Sequence, residues 1–443
     1  MTKWVGNNMT EPLRVALAGI GTVGAGVIRL IDANRDLIAR RAGRSIEIVA
    51  VSARDRAKDR GVDIARFDWI DDSTELARHP AADVIVELVG GSDGPALALA
   101  RATLGSGKSL VTANKAMIAH HGLELANAAE AAGAALKFEA AVAGGIPVIK
   151  GLREGAAANE IARVYGILNG TCNFILSKME APKEKGGGRD FAEVLAEAQR
   201  LGFAEADPTF DIDGIDAAHK LSILASLAFG TQPAFDDVST SGVRNVLAAD
   251  IAEAATLGYK VRLLGIAEAG SNGLFQRVHP HLVPLDHPLA HVAGSLNAVV
   301  AEGNFVGRLF FQGAGAGDGP TASAVVADLI DIARGEFGPP YAMPANSLLA
   351  QPSAQTGDRR GRAYVRFTVA DKVGVLAEIA AAMRDAGVSI ESLMQRGAMA
   401  DGSVLVAIVT HQGPERCVAQ ALEKLRGSPN LIGQPLWMHI LDS

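Results

Sequence analysis

Cysteine is nearly absent from this chain of 443 residues, in which Cys172 and Cys417 are the only two. Two cysteines are too few for a disulfide framework or a cysteine metal site, and they are typical of a reducing compartment. Aromatic residues make up only 5% of the chain, and no stretch approaches the roughly 18 uninterrupted apolar residues of a membrane span. The first residues carry no apolar segment behind a basic start. The sequence therefore predicts a cytoplasmic protein with no membrane partner.

An excess of positive charge is also missing. The formal net charge is -7, which gives no electrostatic reason to bind nucleic acid. What the chain has in quantity is apolar residues, at 49%, and glycine, with 49 residues. This composition favours a globular protein of two or three domains whose glycine-rich loops approach small ligands closely.

Four regions can be separated along the chain. Strand-like and helix-like segments alternate over residues 1–150, which predicts a parallel sheet covered by helices and hence the α/β class. The regular alternation of strand-like and helix-like segments then ends, and we place a second domain of α+β character over residues 151–345. Residues 346–362 are polar and lack periodicity, which predicts a linker. Residues 363–443 read strand, helix, strand, strand, helix, strand, which is the order of a ferredoxin-like domain.

A GxGxxG motif, formed by Gly19, Gly21 and Gly24, lies between a predicted strand and a predicted helix. The first glycine permits a tight turn, the second lets the backbone approach a pyrophosphate, and the third allows close helix packing. The phosphates then meet the positive end of the helix. With Thr22 and Val23, these glycines form the predicted dinucleotide-binding loop of a Rossmann-type domain. A merely structural turn is the alternative.

The end of the second predicted strand bears on the choice of dinucleotide. A site for NAD usually has an acidic residue there for the ribose 2′-hydroxyl, but this chain has Ser52, followed by Arg54 and Lys58. These two cations can meet a 2′-phosphate, so the sequence favours NADP, with NAD possible. Asp55 and Asp59 lie nearby, and a mixed-charge surface loop is the alternative interpretation.

The segment 203–226, GFAEADPTFDIDGIDAAHKLSILA, carries five carboxylates ahead of one lysine. We predict a helix from about 214 to 229, with Asp213 as its N-cap and with Asp216 and Lys220 on one face. No side of this helix is polar, so we expect it to be buried. A buried lysine held by a carboxylate beside a nucleotide site is suited to transfer a proton at a carbonyl oxygen. A surface salt bridge on a structural helix is the alternative.

These segments together resemble the homoserine dehydrogenase family, in the long form with a C-terminal ACT domain. The resemblance rests on GIGTVG, VTANK, EAAVAGGIP, GILNGTCNFIL, GFAEADPTFDIDGIDAAHK and GAGAGDGPTASAVV. It implies the reversible NAD(P)-dependent reduction of L-aspartate 4-semialdehyde to L-homoserine, a step toward threonine, methionine and isoleucine. It also implies that residues 151–345 form a catalytic and dimerisation domain, that the last helix of this domain returns to the Rossmann domain, and that the protein is a homodimer or homotetramer.

The resemblance assigns roles to several side chains. Lys220 corresponds to the general acid/base and Asp216 to its partner. Lys115 corresponds to a lysine beside the nicotinamide and the substrate, and Glu205 and Asp211 to the carboxylates that hold the substrate amino group. The resemblance also implies three further cofactor-binding residues, Gly90, Ser92 and Gly317.

Two further ligands are implied by the resemblance. A sodium ion is expected at Glu139 and at the backbone carbonyls of Val142, Gly144 and Ile146, and such oxygen ligands suit a hard cation. The segment DKVGVL at 371–376 resembles the ligand loop of ACT domains, which implies feedback inhibition by threonine. An ACT domain that only dimerises is the alternative.

Two rival functions make different predictions. A semialdehyde or sugar dehydrogenase that acylates a cysteine would need Cys172 as its nucleophile, whereas we expect Cys172 to be a small buried residue. A sensor that binds NADP and an amino acid without catalysis would leave Lys220 dispensable. The acid and lysine pair on the predicted helix argues against the sensor.

Overall fold

The computed structural model describes residues 11–180, 188–396 and 402–442. The chain divides into two compact units. The first unit runs up to Leu168 and includes Ala218–Val238 and Asn297–Gln351. The second unit consists of Asn169–Ala217, Ser239–Leu296 and the chain from Pro352 onward. Each unit is therefore assembled from three separate stretches of sequence.

The first unit contains a six-stranded sheet with helices between its strands. The strands are β1 (Leu13–Ala18), β2 (Ile46–Ser52), β3 (Asp68–Trp69), β4 (Val84–Glu87), β5 (Ser109–Thr112) and β6 (Leu136–Lys137). The helices are α1 (Thr22–Ala33), α2 (Arg35–Ala42), α3 (Pro95–Gly105) and α4 (Lys115–Ala132). The strand order is β3-β2-β1-β4-β5-β6, and all neighbouring strands are parallel. The predicted parallel α/β sheet is confirmed, and the order reverses between β1 and β4, where such sheets bind ligands.

The chain from residue 141 to residue 351 contributes to both units. Its strands are β7 (Ile161–Ile167), β8 (Ser239–Thr240), β9 (Tyr259–Gly270), β10 (Gly273–Pro284), β11 (Leu296–Gly303) and β12 (Gly307–Ala314). Its helices are α5 (Val148–Lys150), α6 (Gly170–Glu180), α7 (Phe191–Arg200), α8 (Thr209–Ile212), α9 (Ile215–Phe229), α10 (Ala248–Thr256) and α11 (Asp318–Ala333). In the first unit the order is β12-β11-β7, whereas in the second unit β9 and β10 form a long antiparallel hairpin.

Helix α11 completes the core of the first unit, although it lies almost three hundred residues after α1 in the sequence. Val325 and Leu329 of α11 and Val27 and Ile31 of α1 belong to one buried apolar cluster. A Cβ atom at Gly26 of α1 would overlap the side chain of Asp318, the first residue of α11. The two helices therefore approach as closely as a glycine permits.

The last part of the second unit has its own core. It contains β13 (Arg360–Gly361), β14 (Ala363–Ala370), β15 (Ile390–Arg396), β16 (Ser403–Thr410), β17 (Gly413–Pro414), β18 (Leu436–Ile440), α12 (Val375–Asp385) and α13 (Glu415–Leu425). The antiparallel order β18-β14-β16-β15, with α12 packed beside α13, confirms the predicted ferredoxin-like domain. Strand β18 also pairs in parallel with β10. This domain is therefore fastened directly to the β9–β10 hairpin.

The predicted linker, residues 346–362, holds several short ordered elements. It contains the 3-10 turn Thr356–Asp358 and strand β13, and Ser353 forms a bridge with Leu274 of β10. In the described part of the chain, no helix combines the length and the apolar character needed to cross a membrane.

Candidate active site

The glycine-rich loop after β1 has the geometry that its motif predicts. Gly19 has a φ of +91°, and a Cβ atom there would lie 2.6 Å from the carbonyl oxygen of Leu88. A Cβ at Gly24 would overlap the carbonyl oxygen of Gly19, whereas Gly21 has open space around it. In chain order, the first glycine permits a tight turn, the second leaves room for a ligand to approach the backbone, and the third allows close packing of helix and loop. Helix α1 begins directly after Gly21, so its unpaired N–H groups lie at the loop.

The loop after β2 leaves two cations available. Ser52 is buried at the end of the strand, and Arg54 and Lys58 are exposed, with no hydrogen bond or ion pair from their side chains to the described residues. Asp55 and Asp59 accept hydrogen bonds from N–H groups of their own loop, at 2.8 and 2.9 Å. The two aspartates therefore accept hydrogen bonds within the loop, while the side chains of Arg54 and Lys58 are exposed to solvent and accessible to anions.

The loops after β4 and β5 are joined by polar side chains. Glu87, the last residue of β4, is buried and accepts hydrogen bonds from the N–H of Gly90 and from the hydroxyl of Thr112. Asn114 caps α4, because its Oδ1 accepts the N–H of Met117. The sequence analysis missed Glu87, although an acidic residue that closes an apolar strand was a signal of a buried polar contact.

Besides Gly90, two predicted cofactor residues, Ser92 and Lys115, lie at these loops, and Gly317 lies at the start of α11. Lys115 is half-buried and is the first residue of α4. Ser92 is half-buried and its hydroxyl donates to Asp93 at 2.7 Å. Gly317 has a φ of +117° and precedes the first residue of α11. All three belong to the first unit, as does the glycine-rich loop.

Lys220 is held in the interior of the first unit. Residues 216–227 of α9 are all buried, which confirms the prediction that this helix has no exposed face. The Nζ atom of Lys220 donates to the carbonyl oxygen of Leu168 at 2.9 Å. The same carbonyl accepts the Nδ2 of Asn297 at 2.8 Å. The lysine is therefore positioned by a backbone oxygen that is itself fixed by an asparagine.

Two of the predicted carboxylates in the second unit are brought together by one amide. The Nδ2 of Asn169 donates to Asp216 and to Asp211, at 2.8 Å in each case. The hydroxyl of Thr171 lies 3.2 Å from Asp211 and 2.8 Å from the carbonyl oxygen of Phe203, and its one hydrogen can be donated to either. Asn169 and Thr171 were missed by the sequence analysis. Their signal was the polar NGT in an otherwise apolar segment, because a polar side chain in a buried segment needs a partner.

Other residues around this site differ in their surroundings. Glu205 lies in an exposed turn, where its backbone oxygen accepts the side chain of Gln199 at 2.9 Å. Asp213, the predicted N-cap of α9, instead accepts a hydrogen bond from the guanidinium of Arg244 at 2.5 Å, and α9 begins at Ile215.

Cys172 is fully buried in α6, as predicted. An enclosed thiol is not the reactive kind that a cysteine nucleophile requires.

The predicted cation site contains a carboxylate in the interior of the first unit. Glu139 is buried, and its two oxygens accept the N–H groups of Ile149 and Lys150, at 3.0 and 2.9 Å. Burial and the nearby carboxylate of Asp328 raise the pKa of Glu139 to about 7. The turn that carries the three predicted carbonyl ligands follows Glu139, and Gly144 in this turn has a φ of +50°. Across the residues with described side chains, no group of three or more His, Cys, Asp or Glu could hold a metal ion.

The ferredoxin-like domain contains a pocket of about 190 Å³ beside the predicted amino-acid loop. The pocket is lined by residues 369–376 together with Gln395, Val404 and Val406. Gly374 lies in this loop, has a φ of +95° and precedes the first residue of α12. No atom lies within 4 Å of a Cβ at Gly374, so the left-handed backbone rather than space requires glycine here.

Comparisons with known proteins agree on one family. Residues 147–330 match the homoserine dehydrogenase family model, residues 19–139 match its NAD-binding domain, and residues 363–427 match the ACT domain. The homoserine dehydrogenase of Pseudomonas aeruginosa is 44% identical over 430 residues, which are 96% of this chain and 97% of that protein. The enzyme of Corynebacterium glutamicum is 42% identical over 420 residues, which are 94% and 92% of the two chains.

Solved structures give the same result. A homoserine dehydrogenase from Thiobacillus denitrificans matches with a TM-score of 0.89 and 40% identity, over 98% of this chain and 99% of that chain. A hyperthermophilic archaeal homoserine dehydrogenase in complex with NADPH matches with a TM-score of 0.63 and 28% identity, over 74% of this chain and all of that chain.

Proposed function

The chain belongs to the homoserine dehydrogenase family and is an NAD(P)-dependent oxidoreductase that acts on a CH–OH group, and from this premise we propose which residues and ligands carry its reaction. The proposed reaction is the reversible reduction of L-aspartate 4-semialdehyde to L-homoserine, on the route to threonine, methionine and isoleucine. The observation that carries the proposal is the buried Lys220 on α9, one helical turn after the buried Asp216.

Lys220 is the proposed proton donor. The reduced cofactor, when bound, supplies the hydride that reaches the aldehyde carbon. As the carbonyl double bond opens, its electron pair moves to oxygen, and the ammonium of Lys220 gives that oxygen a proton. The contact with Leu168 supports this role, because a backbone acceptor fixes the direction in which the buried ammonium points. Lys115, at the start of α4, is proposed to bind substrate and nicotinamide.

Asp211 and Glu205 are proposed to bind the ammonium group of the substrate. The amide of Asn169 donates to both Asp211 and Asp216, so it sets the orientation of both carboxylates. Glu205 lies in an exposed turn and is available to a ligand. An amino acid with an aldehyde or alcohol at its other end suits this combination of charges.

NADP is the proposed cofactor, with NAD as a possible alternative. Arg54 and Lys58 are exposed, and the acids of their loop are occupied by backbone N–H groups, which supports a role for the two cations in binding a 2′-phosphate. The proposal extends to the pyrophosphate loop and to four further contacts. These are Gly90, Ser92, Lys115 and Gly317. The archaeal relative solved in complex with NADPH is consistent with this choice.

A sodium ion is proposed at Glu139 and at the carbonyls of Val142, Gly144 and Ile146. The residues present fit a monovalent hard cation. Burial and the charge of Asp328 both disfavour the ionised form of Glu139, and the Oδ1 of Asp328 accepts no hydrogen bond, although the Nζ of Lys150 lies 3.8 Å from it. A cation bound there would balance negative charge and hold the turn between Glu139 and helix α5.

Threonine is proposed as the ligand of the ACT domain, and the assembly is proposed to be a homodimer or homotetramer. The pocket beside Gly374 supports an amino acid as the ligand, because its volume suits a small molecule and Gly374 lets the backbone approach it.

The test is oxidation of L-homoserine with NADP or NAD, with and without millimolar threonine. We expect Lys220→Ala to lose roughly 100- to 10,000-fold in kcat, which is the range of general acid catalysis. Lys424→Ala, on the exposed face of α13, is the matched control and should keep the full rate. A folded Lys220→Ala variant that keeps its rate would refute the role of this lysine. An unsubstituted chain that ignores homoserine would refute the substrate.

A further inference from the structure

Glu87 is a fully buried carboxylate that the proposed mechanism does not use. Its Oε1 accepts the N–H groups of Val89 and Gly90, at 2.7 and 3.0 Å, and its Oε2 accepts the hydroxyl of Thr112 at 2.6 Å. In the described part of the chain, no lysine, arginine or histidine pairs with it. Burial of a charge that is balanced by hydrogen bonds alone destabilises the fold, so we expect Glu87 to have a role other than stability.

The hydrogen bonds of Glu87 continue through two further side chains. The hydroxyl of Thr112, which donates to Glu87, accepts the N–H of Asn114 at 3.0 Å. The Nδ2 of Asn114 donates to the carbonyl oxygen of Gly91 at 2.7 Å, while its Oδ1 caps α4. The loops after β4 and β5 are therefore joined twice, once at Glu87 and once at Asn114. Lys115 follows Asn114 directly.

The position of this network matters for the reaction. Glu87 pairs with Thr112 across β4 and β5 and with Ala18 across β4 and β1, at the carboxyl ends of the strands. In a doubly wound sheet, this end of the strands beside the point of reversal is where ligands bind. The network thus lies in the same unit as the glycine-rich loop, and it fixes the loop that contains Gly90 and Ser92.

The chemistry of the network requires a carboxylate. Because an ionised carboxylate only accepts, it can receive two N–H groups on one oxygen and a hydroxyl on the other. A glutamine could still receive the two N–H groups on its single oxygen, but its amide NH2 would then face the hydroxyl of Thr112. An amide NH2 only donates, so the hydroxyl hydrogen of Thr112 would lose its acceptor.

We propose that Glu87 is a positioning residue for the dehydrogenase reaction, which acts through Thr112 and Asn114 to hold Lys115 and the Val89–Ser92 loop in place. The proposal rests on the cofactor and substrate roles proposed above for Lys115 and for this loop. Glu87 does not touch the reacting atoms in this proposal. Its effect is to keep two loops at a fixed separation.

The test compares Glu87→Gln and Thr112→Val with two controls. Thr112→Ser keeps the hydroxyl, and Glu130→Gln makes the same chemical change at another carboxylate of the first unit that accepts a backbone N–H, that of Ala345. We expect kcat to fall about 10- to 100-fold in Glu87→Gln and Thr112→Val, because small misplacements of reacting groups have effects of this size. The double variant Glu87→Gln with Thr112→Val should have a kcat no lower than the worse of the two single variants, since both substitutions remove the same hydrogen bond.

Two readouts do not depend on turnover. The dissociation constant of NADPH, followed by its fluorescence, should rise about 3- to 10-fold in Glu87→Gln and stay unchanged in Glu130→Gln. Hydrogen exchange of Glu87→Gln without cofactor should be at least about 10-fold faster at the N–H groups of Gly90 and Asn114. The neutral amide is a weaker acceptor for Gly90 than the carboxylate, and the Thr112 hydroxyl that accepts from Asn114 loses its orientation.

The outcomes separate this proposal from the one on which it rests. Faster exchange with unchanged kcat and NADPH affinity in Glu87→Gln would overturn the positioning role and leave a purely structural carboxylate. If Glu87→Gln does not fold, Thr112→Val against Thr112→Ser decides in the same way. If the unsubstituted chain does not oxidise homoserine, the proposed substrate fails, while NADPH affinity still decides whether Glu87 positions the cofactor loop.

Discussion

The buried ion pair between Arg277 and Glu415 leads to a prediction about stability. Arg277 of β10 donates two parallel hydrogen bonds to Glu415 of α13, at 2.9 and 2.5 Å, and the two side chains are 6% and 8% exposed. A second bidentate pair joins Arg362, through its Nη2 at 2.7 Å and its Nε at 3.1 Å, to the two oxygens of Glu391, but its side chains are 28% and 38% exposed. Both pairs join two guanidinium nitrogens to two carboxylate oxygens, and they differ in burial.

Removal of one charge should therefore cost different amounts at the two sites. We expect Glu415→Gln to lower the free energy of unfolding by about 3 to 5 kcal/mol, because it leaves the buried guanidinium of Arg277 without a counter-ion. His439, which lies 3.6 Å from Glu415, cannot compensate, since a histidine supplies no negative charge in either protonation state. Glu391→Gln should cost at most about 1 kcal/mol, as an exposed pair does.

Calorimetry of the full chain is the assay. For a unit of this size, 1 kcal/mol corresponds to roughly 2 to 4 °C, so Glu415→Gln should lower the unfolding temperature of the second unit by about 6 to 20 °C. The double variant Arg277→Met with Glu415→Leu should recover most of that loss, because well-packed apolar residues replace a buried pair at little cost. Equal losses in Glu415→Gln and Glu391→Gln would refute the argument from burial.

Three further predictions concern the proposed ligands and rivals. Replacement of both Arg54 and Lys58 by alanine should raise the KM for NADP at least about 100-fold and leave that for NAD within about twofold, since each charge-assisted hydrogen bond contributes about 1.5 to 3 kcal/mol; equal effects on both KM values would argue against a 2′-phosphate contact. Cys172→Ser should keep its kcat within about threefold, whereas a loss of about 1,000-fold or more would favour a cysteine nucleophile. Gly374→Val should abolish any response to threonine in the rate assay, because a β-branched residue at a φ of +95° is strained; an unchanged response would place the ligand elsewhere.

The regular parts of the fold could be predicted because they depend on local pattern. Short apolar runs bounded by glycine predict the strands β1, β4 and β5, and the GxGxxG spacing predicts the turn before α1. The segment AALKFEA, residues 134–140, has the pattern of a strand, but only the two residues of β6 pair with the sheet. The chain leaves the sheet there because Glu139 turns inward to accept the N–H groups of Ile149 and Lys150. These two partners lie ten and eleven residues after Glu139, and the local sequence pattern does not predict hydrogen bonds over that separation.

The burial of α9 could be predicted from its sequence, whereas its cap and the acceptor of Lys220 could not. Its burial was predictable, because a helix without a polar face has no side to present to water. The predicted cap at Asp213 was wrong, because Arg244, thirty-one residues away, binds that carboxylate. Likewise, the acceptor of Lys220 is a backbone oxygen at Leu168, and no side-chain pattern identifies a particular carbonyl.

Polar residues within apolar segments are nevertheless a usable signal of such long-range contacts. Glu87 closes the strand VIVE, Thr112 closes SLVT, and Asn169 interrupts GILNG, and each is buried in the structure with partners from a different segment. The physical reason is that a buried polar group without a partner costs about 1 to 3 kcal/mol, so the fold must bring one to it. The sequence can therefore indicate that Glu87 has a partner, but the identity of the partner depends on strand order. Because β5 lies beside β4, that partner is Thr112, and this contact is what connects a buried carboxylate to the lysine at the start of α4.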